Sequence, residues 1–132
     1  MKKYLAQAAF KSSDSKIKYS MYIGRWQPWH QGHRWLIDQR LDDGKNVLIC
    51  IRDIEPDEKN PWTSKEVEAN LQIELKDLIK QGKVKIVIIP DIESINIGRG
   101  VGYDIIEHVP PEKIRDVSAT NIRKQMKKDG KL

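Results

Sequence analysis

An α/β fold with a parallel sheet is predicted by the way apolar and helical segments alternate along the chain. Short apolar runs typical of strands are separated by longer stretches of helix-forming residues, which favours a parallel sheet with right-handed crossovers. One run, VLICI at Val47 to Ile51, is apolar throughout, as in strands that are buried on both faces. The length of 132 residues suits one domain with a single core.

The first predicted strand and helix flank a loop rich in aromatic residues. The run KYSMYI, Lys18 to Ile23, is apolar and compatible with a strand, and it stops at Gly24. Helix-forming residues then extend from about Gln31 to Leu41, and Asp42-Asp43-Gly44 ends this helix with a turn. The candidate buried face of the helix consists of Trp35, Leu36, Ile37 and Leu41.

A second helix and a third strand follow the VLICI run. Thr63 and Glu66 have the spacing of a capping box, which predicts a helix over roughly Ser64 to Lys80. The run VKIVII, Val84 to Ile89, predicts a strand that Pro90 interrupts. The apolar stripe of the helix consists of Val67, Leu71, Leu75 and Leu78.

The last third of the chain holds less regular structure. Glycines make Asn96 to Gly102 a loop, and the alternating pattern of Tyr103 to Val109 predicts a further strand. A final helix is predicted over Ser118 to Lys128, with Ser118 as its N-cap. The fold class is therefore a small, doubly wound, Rossmann-like parallel α/β domain over residues 18 to 132, preceded by an N-terminal arm of residues 1 to 17.

Composition indicates which kinds of binding partner and which cellular compartment to expect. The net charge of +5, from 24 Lys and Arg against 19 Asp and Glu, favours anionic partners such as nucleotides or nucleic acids. No apolar run approaches the length of a membrane span, and the N-terminal residues make a poor signal peptide, so a cytoplasmic protein is expected. Cys50 is the only cysteine, which excludes an intrachain disulfide and a multi-cysteine metal site. We interpret it as a small buried apolar residue.

The stretch YIGRWQPWHQGH, at residues 22 to 33, has the features of an anion site. Gly24 allows a sharp turn after the first strand, and the helix that starts near Gln31 directs free N–H groups and its positive dipole end at the same space. His30 and His33 are one helical turn apart and can face the same way. Gly32 between them removes a side chain where a ligand could approach closely.

Two other interpretations of this stretch compete with an anion site. The histidines and tryptophans could form a buried aromatic cluster with a purely structural role. A metal site is disfavoured, because two histidines lack a third ligand nearby and His108 lies on another predicted strand. Trp26 and Trp29 are interpreted as packing residues, with stacking on a substrate ring as the alternative.

The final helix offers a second candidate site for phosphate. Ser118, Thr120 and Arg123 place two hydroxyl groups and a guanidinium around a helix N-terminus. Two phosphate-compatible helix starts at opposite ends of one chain support each other. Arg99, within the glycine-rich GRGVG segment, is a further candidate anion ligand, and a tight surface turn is the alternative.

These motifs resemble the signatures of the HxGH nucleotidyltransferase superfamily. HxGH is present at residues 30 to 33, and the SxTxxR helix start is present at residues 118 to 123. The resemblance covers about residues 18 to 128. GRWQPWHQGH is similar to the GRFQPFHxGH version of nicotinamide-mononucleotide adenylyltransferases, and NPWTSKE at residues 60 to 66 is similar to their NPFTxxER segment, with Val67 at the place of the arginine. The region before the final helix is shorter than in those enzymes, and the length is nearer that of small cytidylyltransferases.

The resemblance implies transfer of a nucleoside monophosphate, AMP being favoured, from a nucleoside triphosphate to a phosphorylated acceptor such as nicotinamide mononucleotide, with release of pyrophosphate. It implies that Mg²⁺ accompanies ATP or CTP. Catalytic roles are implied for His30, His33 and Arg123, and nucleotide or phosphate binding is expected of Gly24, Arg25, Gly32, Ser118, Thr120 and Arg99. No resident metal ligands and no membrane partner are expected.

Several alternatives remain open at the level of sequence. A cytidylyltransferase that uses CTP and a small phosphorylated alcohol is one, and a non-catalytic nucleotide-binding or RNA-binding module is another. The intact histidines and Arg123 argue against such a module, and a nucleic-acid partner is not expected. A class I aminoacyl-tRNA synthetase shares HxGH, but this chain is too small and lacks a KMSKS-like loop. The acceptor, the oligomeric state (a homo-oligomer included) and the roles of residues 1 to 17 and of the GRGVG loop are left undetermined.

Overall fold

The computed structural model describes residues 16–100, 102–115 and 119–131. Most of the predicted arm of residues 1 to 17 lies outside these ranges, so its boundary stays a prediction. None of the helices within the described ranges is long and apolar enough to cross a membrane. The elements are β1 (Tyr19–Gly24), α1 (Gln31–Leu41), β2 (Asn46–Asp53), α2 (Ser64–Glu74), α3 (Lys76–Lys80), β3 (Val84–Pro90), α4 (Glu112–Arg115) and α5 (Ala119–Lys128).

The strands form a parallel three-stranded sheet in the order β1-β2-β3. The register places Tyr22 beside Ile49, and Ile49 beside Ile86 on its other side, so that β2 is the central strand. In this central strand Val47, Ile49 and Ile51 are fully buried and Cys50, which points to the opposite face, is 2% exposed, in agreement with the apolar composition of VLICI. The predicted Rossmann-like α/β class with a parallel sheet and a single small domain is confirmed.

One face of the sheet carries the hydrophobic core. Ile49 of β2 is fully buried together with Ile37 of α1 and Leu71 of α2. Because these residues belong to one cluster, α1 and α2 pack against the same face of the sheet. The cluster consists of Trp26, Ile37, Val47, Ile49, Ile51, Val67, Leu71, Leu75 and Val84.

The second helical segment begins as predicted but is divided. The hydroxyl of Thr63 accepts from the backbone N–H of Glu66 at 3.1 Å, and Glu66 Oε1 accepts from the backbone N–H of Thr63 at 3.0 Å, which confirms the capping box. The continuous helix predicted to Lys80 is wrong, because the backbone at Leu75 departs from helical angles and separates α2 from α3. At this break the spacing of the apolar stripe changes from four residues to three, while Leu75 stays 2% exposed.

The strand predicted for Tyr103 to Val109 is wrong. These residues pair with no described strand, and Tyr103 and Ile105 are 74% and 72% exposed. An alternating pattern indicates a strand only where a sheet edge accepts its hydrogen bonds, and no ladder forms here. The final helix is confirmed over Ala119–Lys128, whereas its predicted N-cap Ser118 lies outside the described residues.

The carboxyl ends of the strands define one edge of the domain. Because the strands are parallel, Gly24, Asp53 and Pro90 end at the same edge. The loops that follow β1 and β2, residues 25–30 and 54–63, therefore emerge side by side. This is the edge at which α/β sheets bind ligands.

Candidate functional site

Two histidines cap the first helix and each other. His30 is the N-cap of α1, and its Nδ1 accepts from the backbone N–H of Gly32 at 3.0 Å. His33 Nδ1 accepts in turn from the backbone N–H of His30 at 3.3 Å. The rings are stacked, with centroids 3.7 Å apart and planes inclined by 24°. HQGH thus forms a capping box in which imidazoles replace the usual hydroxyl and carboxylate.

This arrangement determines which nitrogen of each ring carries a proton. Burial lowers the pKa of His30, and burial together with the neighbouring His30 lowers the pKa of His33 to about 3. Both rings are therefore neutral at neutral pH, and a neutral imidazole carries a single N–H. Since each Nδ1 accepts a backbone hydrogen bond, the proton lies on Nε2. Among the described residues neither Nε2–H has a partner, so both can donate to a bound anion.

Aromatic packing holds the histidine pair in place. The indole of Trp26 meets the His33 ring edge-on, with centroids 4.9 Å apart, and Trp29 lies 5.3 Å from the same ring. Trp26 is 7% exposed and its indole N–H donates to the carbonyl of Cys50, so it is a core residue. Gly24 leaves room for this indole, since a Cβ there would lie 2.9 Å from Trp26 Cε2. The absence of a side chain at Gly24 thus makes room for the indole of Trp26.

Gln27 links three separate segments, and sequence reasoning assigned it no role. Its amide donates to the carbonyl of Trp62 at 3.0 Å, and its Oε1 accepts from the backbone N–H of Trp62 at 2.9 Å. Its backbone carbonyl accepts from the guanidinium of Arg123. A side chain that is only 3% exposed therefore ties the loop after β1 to the loop before α2. The available signal was a glutamine inside the run WQPW, residues 26 to 29, whose other members are apolar or aromatic.

The structure brings part of the final helix to the first motif. Arg123 reaches the loop after β1 through Gln27, and its Nη2 donates to the hydroxyl of Thr120 at 3.3 Å. Two predicted phosphate ligands thus lie together on α5, with Arg123 half-buried and Thr120 exposed. Ser118, the third member of this predicted group, lies outside the described residues.

Arg25 extends the basic character of the same edge. It is exposed and makes no hydrogen bond with any described residue, so its guanidinium is available to an anion. Hydrogen bonds from Asn60 and Lys59 lower the pKa of Asp57, and the positive charge of Arg25 lowers it further. Arg99 lies in an exposed turn and forms no hydrogen bond or ion pair within the described chain, so the structure does not join it to this group.

Metal-ligating residues do not gather in the described ranges. No group of three or more His, Cys, Asp or Glu side chains within them is arranged to hold an ion. His108 stacks on Tyr22 with centroids 6.2 Å apart, away from the HQGH pair. Cys50 is buried and its pKa is raised to about 11 by that burial, in agreement with its interpretation as an apolar residue.

The lowered pKa of His33 predicts that the free energy of unfolding falls as the pH drops. The pKa of His33 is lowered to about 3 in the folded chain, so below its ordinary value of 6.5 the unfolded chain binds more protons. Stability from this group is complete above pH 6.5 and declines toward pH 3. We expect the difference in unfolding free energy between the native protein and His33→Gln to shrink from about pH 7 to about pH 5, by at most about 1.4 kcal/mol per pH unit. Urea titrations measure this, and a pH-independent difference would contradict it.

Comparison with known proteins finds a similarity over part of the chain. No protein-family model matches the chain. A segment of 52 residues, 38% of this chain, is 35% identical to the nicotinamide-nucleotide adenylyltransferase of Methanocorpusculum labreanum (strain ATCC 43576 / DSM 4855 / Z). The match covers 31% of that relative's length. This short similarity suggests a relationship to nucleotidyltransferases.

Proposed function

We propose that the protein transfers a nucleoside monophosphate, with AMP favoured, from a nucleoside triphosphate to a phosphorylated acceptor such as nicotinamide mononucleotide, releasing pyrophosphate. The observation that carries the proposal is the histidine pair at the start of α1, since the Nε2–H groups of His30 and His33 have no partner within the part of the chain that the structure describes. The approach of Arg123 to the same loop adds a cation to this donor pair. The similarity to an adenylyltransferase supports the choice of reaction class and of AMP.

The reaction needs positioning more than covalent chemistry. An acceptor phosphate oxygen attacks the α-phosphorus, a new P–O bond forms, and the bond to the β-phosphate oxygen breaks with its electron pair leaving on pyrophosphate. Negative charge therefore grows on the α- and β-phosphate oxygens. Neutral imidazole donors fixed by hydrogen bonds to the backbone are well suited to this charge, because they need no reorganisation as it develops.

The other predicted ligands take supporting roles in this proposal. Arg123, Thr120 and Ser118 bind the departing β- and γ-phosphates, and Arg25 contributes a further positive charge. Gly32 adds close approach of the backbone beside the histidines. The role of Arg99 in phosphate binding stays a prediction from the sequence.

Magnesium enters the proposal as part of the substrate. Mg²⁺ binds nucleotides through phosphate oxygens and keeps several waters, so one or two protein carboxylates at most are needed. The carboxylates at the ends of β2 and β3 already have partners: Asp53 accepts from Ser64 at 2.8 Å, and Asp91 pairs with Arg52 at 2.7 Å. An ion held chiefly by the triphosphate fits these residues, and when bound it would neutralise phosphate charge.

The test is release of pyrophosphate from ATP or CTP, each mixed with nicotinamide mononucleotide or with glycerol phosphate. We expect turnover with ATP and nicotinamide mononucleotide. Turnover with CTP and glycerol phosphate alone would replace the adenylyl assignment by a cytidylyl one. The preferred nucleotide should also raise the melting temperature most, because a ligand that binds the folded state stabilises it. If a nucleotide raises the melting temperature but no mixture releases pyrophosphate, the proposal of an enzyme is overturned and that of a nucleotide-binding module takes its place.

A further inference from the structure

A cavity lies between the loop after β1, the start of α2 and the final helix. Its volume is about 270 Å³, and its walls include Trp26, Pro28, Trp62, Glu66, Asn70 and Met126. None of the predicted site residues lines it. Ligand pockets for larger molecules span roughly 300–1,000 Å³, so this cavity has room for about one ring system and not for a whole nucleotide.

The cavity adjoins the histidine pair through a shared wall. Trp26 lines the cavity and its ring also contacts the ring of His33, with centroids 4.9 Å apart. Met126 comes one helical turn after Arg123 on α5, so the helix that reaches the first motif also closes this cavity. A ligand whose phosphate binds at His33 and whose ring lies in the cavity would need to extend past only one side chain, the indole of Trp26.

Two polar groups in the cavity lack partners. The side-chain amide of Asn70 makes no hydrogen bond with any described residue. Glu66 uses Oε1 to accept from the backbone N–H of Thr63, which leaves Oε2 available. A carboxylate can only accept hydrogen bonds, whereas an amide both accepts and donates. The matching ligand therefore carries an amino group, directed at Glu66, on a flat ring that contacts the indoles.

We propose that this cavity binds the heteroaromatic ring of the nucleotide substrate and selects rings that bear an exocyclic NH₂ group. The proposal rests on the function proposed above and adds the recognition of the ring to it. The NH₂ group donates to Glu66 Oε2, and the amide of Asn70 pairs with a neighbouring ring nitrogen or oxygen. A ring with oxygen in place of the amino group meets the carboxylate with an acceptor and is rejected.

Ligand pairs in which oxygen replaces the amino group provide the test. The neighbouring ring nitrogen or the net charge changes at the same time, so a preference is assigned to the cavity only through the variants described below. The pairs are AMP and inosine monophosphate, CMP and UMP, and nicotinamide mononucleotide and nicotinate mononucleotide. Dissociation constants from titration calorimetry should show, for at least one pair, a preference of about fivefold or more for the amino member, the effect of one hydrogen bond to a charged group at a partly exposed site. The three pairs also distinguish an adenine, a cytosine or a nicotinamide ring as the occupant.

Glu66→Gln is the informative variant. Glutamine keeps an acceptor for the capping box but can also turn its NH₂ toward the ligand, so the preference should fall to about twofold or less. Asn70→Leu, which removes the amide at similar size, should weaken binding of the preferred ligand. Glu68→Gln on the same helix is the matched control, since Glu68 pairs with Lys65 outside the cavity.

The outcomes separate this proposal from the function it rests on. No preference within any pair, or a preference that Glu66→Gln leaves unchanged in a variant with normal unfolding free energy, would overturn the cavity assignment. Either result would leave the proposed transferase activity standing, because that activity is tested separately by pyrophosphate release from the unmodified protein. Conversely, an amino preference lost in Glu66→Gln would support the cavity even if no mixture released pyrophosphate.

Discussion

Replacing His33 with alanine is expected to abolish pyrophosphate release while the domain stays folded. The substitution removes an Nε2–H donor that we place on the phosphates, and loss of one such donor costs about 10²–10³ in kcat in well-studied enzymes. It also frees the ring of His30 from its stacking partner, so a second donor loses its orientation. Initial rates of pyrophosphate release at saturating nucleotide measure the effect.

His33→Gln separates the imidazole's catalytic role from its role as a cap. Glutamine at this position can still accept from the backbone N–H of His30, as in ordinary capping boxes, but it does not place a donor where Nε2 lies. We expect its turnover to fall nearly as far as that of the alanine variant, with less loss of stability. Gln31→Ala, at the exposed residue between the histidines, is the control and should retain full activity. Near-normal turnover in either His33 variant would rule out the proposed mechanism.

Gln27→Leu is expected to give the largest loss of stability. The substitution leaves the N–H and carbonyl of Trp62 without the two hydrogen bonds that Gln27 supplies, in a region where water has little access. A buried backbone group that loses its partner costs about 1–3 kcal/mol, so the unfolding free energy should fall by about 2–4 kcal/mol. Urea denaturation measures the change.

The same variant tests how the motif loops are held together. Gln72→Leu, at an exposed glutamine on α2, is the control and should change stability by less than about 0.5 kcal/mol. Because Gln27 also joins the loop of the histidines to the segment that precedes α2, we expect the Gln27 variant to lose turnover well below its melting temperature. Equal stability of the two variants would show that these hydrogen bonds carry no net free energy.

Prediction from sequence succeeded where the signal is local. The parallel strands, the first helix and the Thr63 capping box follow from apolar period and residue spacing, and the structure confirms each. Prediction from sequence failed at Leu75, where the spacing of the apolar stripe changes and the helix is divided. It also failed at Tyr103 to Val109, where the alternating pattern has no neighbouring strand among the described residues. Both failures concern how an element meets the rest of the fold, which a period within the element does not encode.

The amino-acid sequence by itself determined the α/β class, the HQGH pair at a helix start and the basic final helix, because each depends on residues within one or two turns of one another. Only the tertiary structure decided the order of the strands, the neutral Nε2–H form of the histidines, and the links from Gln27 to Trp62 and to Arg123. For the two links the physical reason is sequence separation, since Trp62 and Arg123 lie 35 and 96 residues from Gln27. The neutral form of the histidines depends on burial, which exists only once the chain has packed.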